Sequence, residues 1–324
     1  MDSHARYSIG VDLGGTTFSI GVFDDSGTLV DEASANTPVT EDAQHIADVV
    51  ADAVRARLDS GVGLQKVVGL AIGFPGPVDP DAGVVKKAPN IPVLAGFPLT
   101  AALSERLGGL QVSLQNDAYC ATLAELRWGA GKGASNLLML TLGTGIGGGV
   151  AINGQVIRGP RQILGEIGHM IIDPAGRKCG CGSYGCLEAM AARDAIIELA
   201  QRAVQSGRAT SLLDLAGGDQ EAITPELVSR AAQAGDPAAL EIWERIGFII
   251  GLGICNAIVL CDPDVVVLGG GIAAAGDLLF DPIRRTVRAR SRISGFDVSH
   301  IVPAKFGNHA GVYGAGALAW ERAR

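Results

Sequence analysis

Apolar residues in this chain fall into short runs closed by glycine turns, and into longer stretches with helical spacing. Tyr7–Leu13 is a β-rich run ending at Gly14-Gly15. Phe18–Phe23 and Thr28–Ala33 read as two further strands, turned at Asp24–Gly27. Residues Glu41–Leu58 place Ile46, Val49, Val50, Ala53, Val54 and Leu58 on one helical face. Thr40 is the expected N-cap and Gly61 the expected stop. Lys66–Ile72 reads as a buried strand, and Leu110–Leu114 as another that runs into Asn116-Asp117. A helix is expected over Asp117–Trp128, closed by Gly129.

A second set of strands begins after Asn136. Leu137–Leu142 leads into a glycine loop, and Val150–Ile152 meets Asn153-Gly154, a strong hairpin turn pair. Helices are expected from Leu187 onward. Asp236-Pro237 caps and opens a long one that reaches about Leu260. Val265–Leu268 is a short buried strand before Gly269-Gly270-Gly271, and a small-residue helix from Gly311 to Arg322 closes the chain. Residues 10–23 and 140–152 repeat one plan: apolar strand, glycine turn with Thr, second strand. The repetition predicts a duplicated α/β protein of two lobes with a cleft between them.

Mean hydropathy is positive, at +0.29, which raises the question of a membrane span. The longest candidate, Ile246–Cys261, holds 16 residues and is short for one. A buried helix in a core or subunit interface is expected instead. The start of the chain lacks a basic segment followed by an apolar run, so a cytoplasmic protein is expected. The formal charge is −8, which disfavours nucleic acid as a partner. Glycine numbers 46 of 324 residues, about twice ordinary usage, without the three-residue period of collagen.

Part of that glycine sits in chemistry-bearing loops. Asp12-Leu13-Gly14-Gly15-Thr16 lies between two strands, where glycines bring N–H groups close to an anion. A carboxylate at Asp12 suits Mg²⁺ held through water. Gly143-Thr144-Gly145-Ile146-Gly147-Gly148 repeats the device, and two such loops suit the phosphates of a nucleotide. Neither fits the Walker A or dinucleotide pattern.

His169, Cys179, Cys181 and Cys186 have the spacing H-x9-C-x-C-x4-C, which matches a closed tetrahedral Zn²⁺ site. Cys120, Cys255 and Cys261 lie in apolar stretches and are expected to be buried. Glu166 and Glu188 flank the cluster, so a metal knot would fix both carboxylates. With His169 they suit hydrogen bonding to several hydroxyls of a polyol. Asn116-Asp117 has two readings. A carboxylate there is placed to accept a hydroxyl proton, and either residue is an ordinary helix cap.

Together these motifs resemble the ROK family of sugar kinases and sugar-responsive repressors. The resemblance runs through GVDLGGT (10–16), GFPGPVD (73–79), APN (88–90), QNDAYCATLAE (115–125), GAGKG (129–133), LGTGIGGG (142–149), LGEIGHM (164–170), CGCGSYGCLEA (179–189) and VVLGGGI (266–272). It implies the two-lobed ribonuclease H-like fold of actin and hexokinase. The implied division is residues 1–116 joined by 310–324, and residues 117–309. Asp117 matches the family's catalytic base. Asn90, Asn116, Asp117, Glu166, His169 and Glu188 match its sugar-binding positions. Gly14, Gly15, Thr16, Thr144 and Gly145 match the phosphate loops, Asp12 the Mg²⁺-associated acid, and Gly269 and Gly270 the adenosine region.

Three positions depart from the family pattern. Thr17 stands where Lys is common, Tyr119 where Asn is common, and Met190-Ala191-Ala192-Arg193 where a Ser often appears. The implied activity is phosphorylation of D-glucose to glucose 6-phosphate by ATP with Mg²⁺, in a homodimer or homotetramer. Alternatives are another hexose (N-acetylmannosamine, N-acetylglucosamine or fructose) and polyphosphate as donor. A repressor is less expected, since the first strand starts near Tyr7 and leaves no room for a helix-turn-helix.

Overall fold

Two sheets built to the same plan organise the chain. The structure, a computed structural model, describes residues 6–88 and 90–323. In chain order the strands are β1 (Tyr7–Leu13), β2 (Thr17–Phe23), β3 (Leu29–Asn36), β4 (Val67–Phe74), β5 (Val78–Asp79), β6 (Val84–Val85), β7 (Val112–Asn116), β8 (Leu137–Leu142), β9 (Ile146–Ile152), β10 (Gln155–Ile157), β11 (Val265–Gly269) and β12 (Ile301–Pro303). One sheet has the order β3-β2-β1-β4-β7 and the other β10-β9-β8-β11-β12. In each, three antiparallel strands joined by hairpins are followed by two parallel ones. The glycine loops Gly14–Thr16 and Gly143–Gly145 therefore occupy equivalent places, between the first two strands of each sheet. The duplication expected from the sequence echo is thus present strand for strand.

The chain divides into two units. One runs to Gly133 and resumes at Asn308; the other is Ala134–Gly307. This moves the expected boundary from residue 116 to residue 133, because the helix Asp117–Trp128 groups with the first unit. That helix lies against the C-terminal helix Ala310–Arg322, and the approach is close. A Cβ on Gly314 would stand 1.7 Å from the Cys120 carbonyl oxygen. The same C-terminal helix lies on β1, where a Cβ on Gly10 would stand 2.1 Å from the Val312 carbonyl oxygen. Its small residues are what allow a helix backbone to approach a strand so closely.

Each unit has its own core. In the first, Ile9, Val11 and Leu13 of β1 pack with Ile46, Val50 and Val54 of the helix Ala43–Arg57. That helix starts two residues later than expected. Asp42 is the cap, accepting the Gln44 N–H, while Thr40 accepts the Asp42 N–H instead. The helical segment ends at Gly63, with φ +76°, rather than at Gly61.

In the second unit Leu138, Leu140 and Leu142 of β8 pack with Trp243, Ile246 and Ile250 of the helix Pro237–Cys261. Asp236 caps this helix and Pro237 opens it, as the sequence reading has it. Over 25 residues it is, among the described residues, the one helix long and apolar enough to cross a membrane by length and composition. Its most apolar 18-residue window is 56% buried inside the protein. Gly247 and Gly251 lie against Pro282 and Thr286 of the helix Asp277–Arg290, which accounts for the apolar run as core. The turn Asn153-Gly154 has φ values of +51° and +72°, as a primed hairpin turn requires.

Candidate active site

The predicted site residues fall into two sets, one in each unit. In the first unit, Asp12 stands one residue before the end of β1 and pairs in register with Ser19 of β2 and Gly73 of β4. The first glycine loop follows at once and is tied at both ends. Gly14 N–H donates to the Thr17 carbonyl (3.0 Å), and Thr37 Oγ1–H donates to the Gly14 carbonyl (2.7 Å). Thr37 N–H donates to the Thr16 carbonyl (2.9 Å). Thr37 is buried and carries no local sequence signal; its role comes from the fold bringing the end of β3 to the loop. Gly15 lies against Asn90, where a Cβ would stand 2.7 Å from the Asn90 Cβ. The loop and one proposed sugar residue are thereby brought together.

The ambiguity at Asn116-Asp117 is resolved between the two residues. Asn116 is the cap: its Oδ1 accepts the N–H groups of Ala118 (2.9 Å) and Tyr119 (3.3 Å), and its Nδ2 donates to the Gly76 carbonyl (3.2 Å). Asp117 opens the helix without capping it; its carboxylate accepts the adjacent Ala118 N–H at 2.8 Å and also meets its own N–H and the Asn116 side chain. Burial raises the Asp117 pKa above the ordinary aspartate value, against the lowering effect of its hydrogen bonds.

Asp12 and Asp117 lie close enough to interact. Burial first, and then the Asp117 charge, push the Asp12 pKa from 3.8 up to about 6. Both carboxylates also raise the thiol of buried Cys120, after burial itself. Gly311, in the first turn of the C-terminal helix, makes room for this pair: a Cβ there would stand 2.5 Å from Asp12 Oδ2. Sequence reading missed Gly311, since only the fold places it on Asp12. Two poorly solvated acids side by side hold a proton unless a cation compensates them, and this suits the Mg²⁺ expected at Asp12.

A raised carboxylate pKa has a definite sign for stability. Below about pH 4 Asp12 is protonated in both folded and unfolded chains. As pH rises through about 6 the folded form must ionise it at a cost of up to about 3 kcal/mol. Without added Mg²⁺, Asp12→Asn is therefore expected to melt above wild type at pH 7.5 and level with it at pH 4. Paired thermal melts at the two pH values check this, and a gap that does not close at pH 4 would contradict it.

In the second unit, the loop Gly143-Thr144-Gly145 connects β8 to β9, with Gly143 N–H donating to the Gly145 carbonyl (2.9 Å). Gly270, at φ +86°, lies against the foot of this loop, where a Cβ would stand 2.3 Å from the Leu142 carbonyl oxygen. Gly269 pairs with Thr141 across β11 and β8. Glu188 reaches the loop as well: its Oε2 accepts the Ile146 N–H at 3.0 Å. Glu166 and His169 lie one tight turn apart, with His169 N–H donating to the Glu166 carbonyl (3.0 Å), and both are exposed.

His169, Cys179, Cys181 and Cys186 offer four ligand atoms that all lie within 4.8 Å of one another. His169 Nδ1 stands 3.8 Å from Cys179 Sγ, and Cys181 Sγ 3.8 Å from Cys186 Sγ. Those are about the edge lengths of a tetrahedron with Zn–S bonds of ~2.3 Å. Burial holds the Cys179 thiol up at about 12 and raises Cys186. The Ser183 backbone N–H, with Cys179, lowers exposed Cys181. Three crowded thiols ionise together only around a cation, so the donor set fits Zn²⁺. Using Nδ1 for the metal leaves Nε2 of His169 for another partner. Of the three remaining cysteines, Cys120 and Cys255 are buried as expected, whereas Cys261 is half-exposed and donates to the Ala257 carbonyl (2.8 Å).

Residues 8–322 match the model of the ROK family. The chain belongs to the ROK family. Among curated ROK relatives, it is 35% identical over 314 residues to a glucokinase of Thermotoga maritima, covering 97% of each chain. A ROK hexokinase from Thermus thermophilus has a similar structure, with 35% identity, a TM-score of 0.80 and coverage of 98% of this chain and 99% of that one. A ROK family glucokinase from Streptomyces griseus, solved with glucose and AMPPNP, has 34% identity and a TM-score of 0.78, covering 97% of this chain and 99% of that one. The fold is accordingly the two-domain, actin-like sugar-kinase fold of the ROK hexokinases.

Proposed function

We propose that this protein is a glucokinase that transfers the γ-phosphoryl group of ATP to the 6-hydroxyl of D-glucose. The observation that carries the reading is Asp117. It is a half-buried carboxylate at the C-terminal end of a parallel strand, released from capping by Asn116 and made more basic by its surroundings. The full-length similarity to glucokinases, one of them solved with glucose and AMPPNP, supports the choice of sugar and donor.

In this reading Asp117 accepts the hydroxyl proton as the sugar oxygen forms its bond to the γ-phosphorus. The bond from that phosphorus to the β–γ bridging oxygen breaks, and ADP departs. Asn90, Asn116, Glu166, His169 and Glu188 hydrogen-bond the remaining hydroxyls. A site built to hydrogen-bond each hydroxyl rejects analogues that lack one. The N–H groups around Gly14, Gly15 and Thr16, and around Thr144 and Gly145, receive phosphate oxygens. Gly269 and Gly270 let the chain approach the adenosine. Mg²⁺, which Asp12 would hold through water, supplies charge compensation on the phosphates when bound. Zn²⁺ on His169 and the three cysteines supplies rigidity to the sugar-side wall.

Free thiols in such a cluster suit a reducing compartment, which supports a cytoplasmic location. We also take the protein to be a homodimer. Much of the apolar helix Pro237–Cys261 is accounted for by its own core, so the support reduces to its exposed residues, including Phe248, Val259 and Leu260.

A phosphorylation assay on glucose, fructose, mannose, N-acetylglucosamine and N-acetylmannosamine, with ATP and with polyphosphate, tests the reading. Glucose with ATP is expected to give the highest kcat/KM, by at least about tenfold. Preference for an N-acetylated sugar or for polyphosphate would replace it.

A further inference from the structure

The second glycine loop is held by chain that belongs to the metal cluster. Ile146 N–H donates to Glu188 Oε2 at 3.0 Å, and Glu188 lies two residues after Cys186. Gly145 accommodates that carboxylate, since a Cβ there would stand 2.4 Å from Glu188 Oε2. Arg193 N–H, on the helix that follows, donates to the Gly143 carbonyl at 3.1 Å. From the other side Gly168, the neighbour of His169, lies against the loop's far end: a Cβ there would stand 1.9 Å from the Ile146 carbonyl oxygen. The loop between β8 and β9 is therefore braced at Gly143, Gly145 and Ile146 by the chain next to His169 and by the chain that follows Cys186.

We propose that Glu188 is a positioning residue for this phosphate loop, through which the metal cluster sets nucleotide affinity as well as sugar recognition. A loop rich in glycine has much backbone freedom to lose before its N–H groups can receive a phosphate. A carboxylate acceptor makes a stronger hydrogen bond than a neutral one and fixes the direction of the Ile146 peptide. Because Cys186 is the cap residue of the helix Leu187–Ala191 that carries Glu188, ordering of the cluster places that carboxylate. The other oxygen of the carboxylate, Oε1, lies 3.6 Å from Cys179 Sγ, so Glu188 spans the gap between the loop and a metal ligand.

The proposal rests on the kinase reading above, and nucleotide binding measured without sugar separates the two. Calorimetric titration of the metal-loaded full chain with AMPPNP and Mg²⁺ is the experiment. E188A is expected to weaken AMPPNP binding about tenfold. E188Q, which keeps an acceptor for the Ile146 N–H, is expected to stay within about threefold of wild type. Removing the metal from wild type is expected to act in the same direction as E188A.

A role confined to sugar predicts a different pattern. E188A would then bind AMPPNP within twofold of wild type with metal content intact, and that result would overturn the proposal. Failure of the wild-type chain itself to bind AMPPNP would overturn the kinase reading, and the proposal with it.

Discussion

Asp117→Asn is expected to lower kcat by about 10³-fold, within the range for loss of a general base, while the protein stays folded. Asparagine has nearly the same shape and keeps an oxygen for the Ala118 N–H that Asp117 now receives. The helix cap is Asn116 and is untouched. What disappears is the only feature proposed to take the proton, together with one of two interacting half-buried carboxylates. Stability is therefore expected to hold or rise slightly as kcat collapses. The Asp12 carboxyl should also titrate closer to the ordinary value once its neighbour is neutral. Steady-state kinetics beside a thermal melt separate these effects. A kcat within tenfold of wild type would remove Asp117 from the mechanism.

Loss of the metal cluster is expected to have the second-largest effect. Cys186→Ser removes a fully buried ligand at the start of the helix that carries Glu188. It leaves the buried Cys179 thiol, which burial holds at about 12. Structural Zn²⁺ contributes folding free energy directly. The variant is expected to lose its metal, about 3 kcal/mol of stability and at least tenfold in kcat/KM. Wild type should carry about one zinc per chain by elemental analysis. A metal-free wild type with full activity would remove both the knot and the wall it orders.

Features set by neighbouring residues were legible in the sequence. The helix Asp117–Trp128 is found within its expected bounds, and so is β8. The cysteine cluster was legible because three of its ligands lie within eight residues, and the turn between β9 and β10 because Asn153-Gly154 tolerates two positive φ values.

What depended on distant packing was not legible. The boundary drawn at residue 116 follows a strand end, whereas the helix beyond it is claimed by Gly314 and the C-terminal helix, nearly two hundred residues away. Local sequence does not say which of Asn116 and Asp117 caps the helix; the geometry gives the cap to Asn116. Thr37 and Gly311 look ordinary in sequence and matter only because the fold sets them on the first loop and on Asp12.

The central claim is transfer of phosphate from ATP to glucose, and ³¹P NMR of the protein with both substrates and Mg²⁺ tests it most directly. The account predicts that a sugar 6-phosphate resonance and the ADP resonances grow one for one, and that neither grows at the wild-type rate with Asp117→Asn. Inorganic phosphate appearing in place of sugar phosphate, or ATP left intact in the presence of glucose, would contradict it.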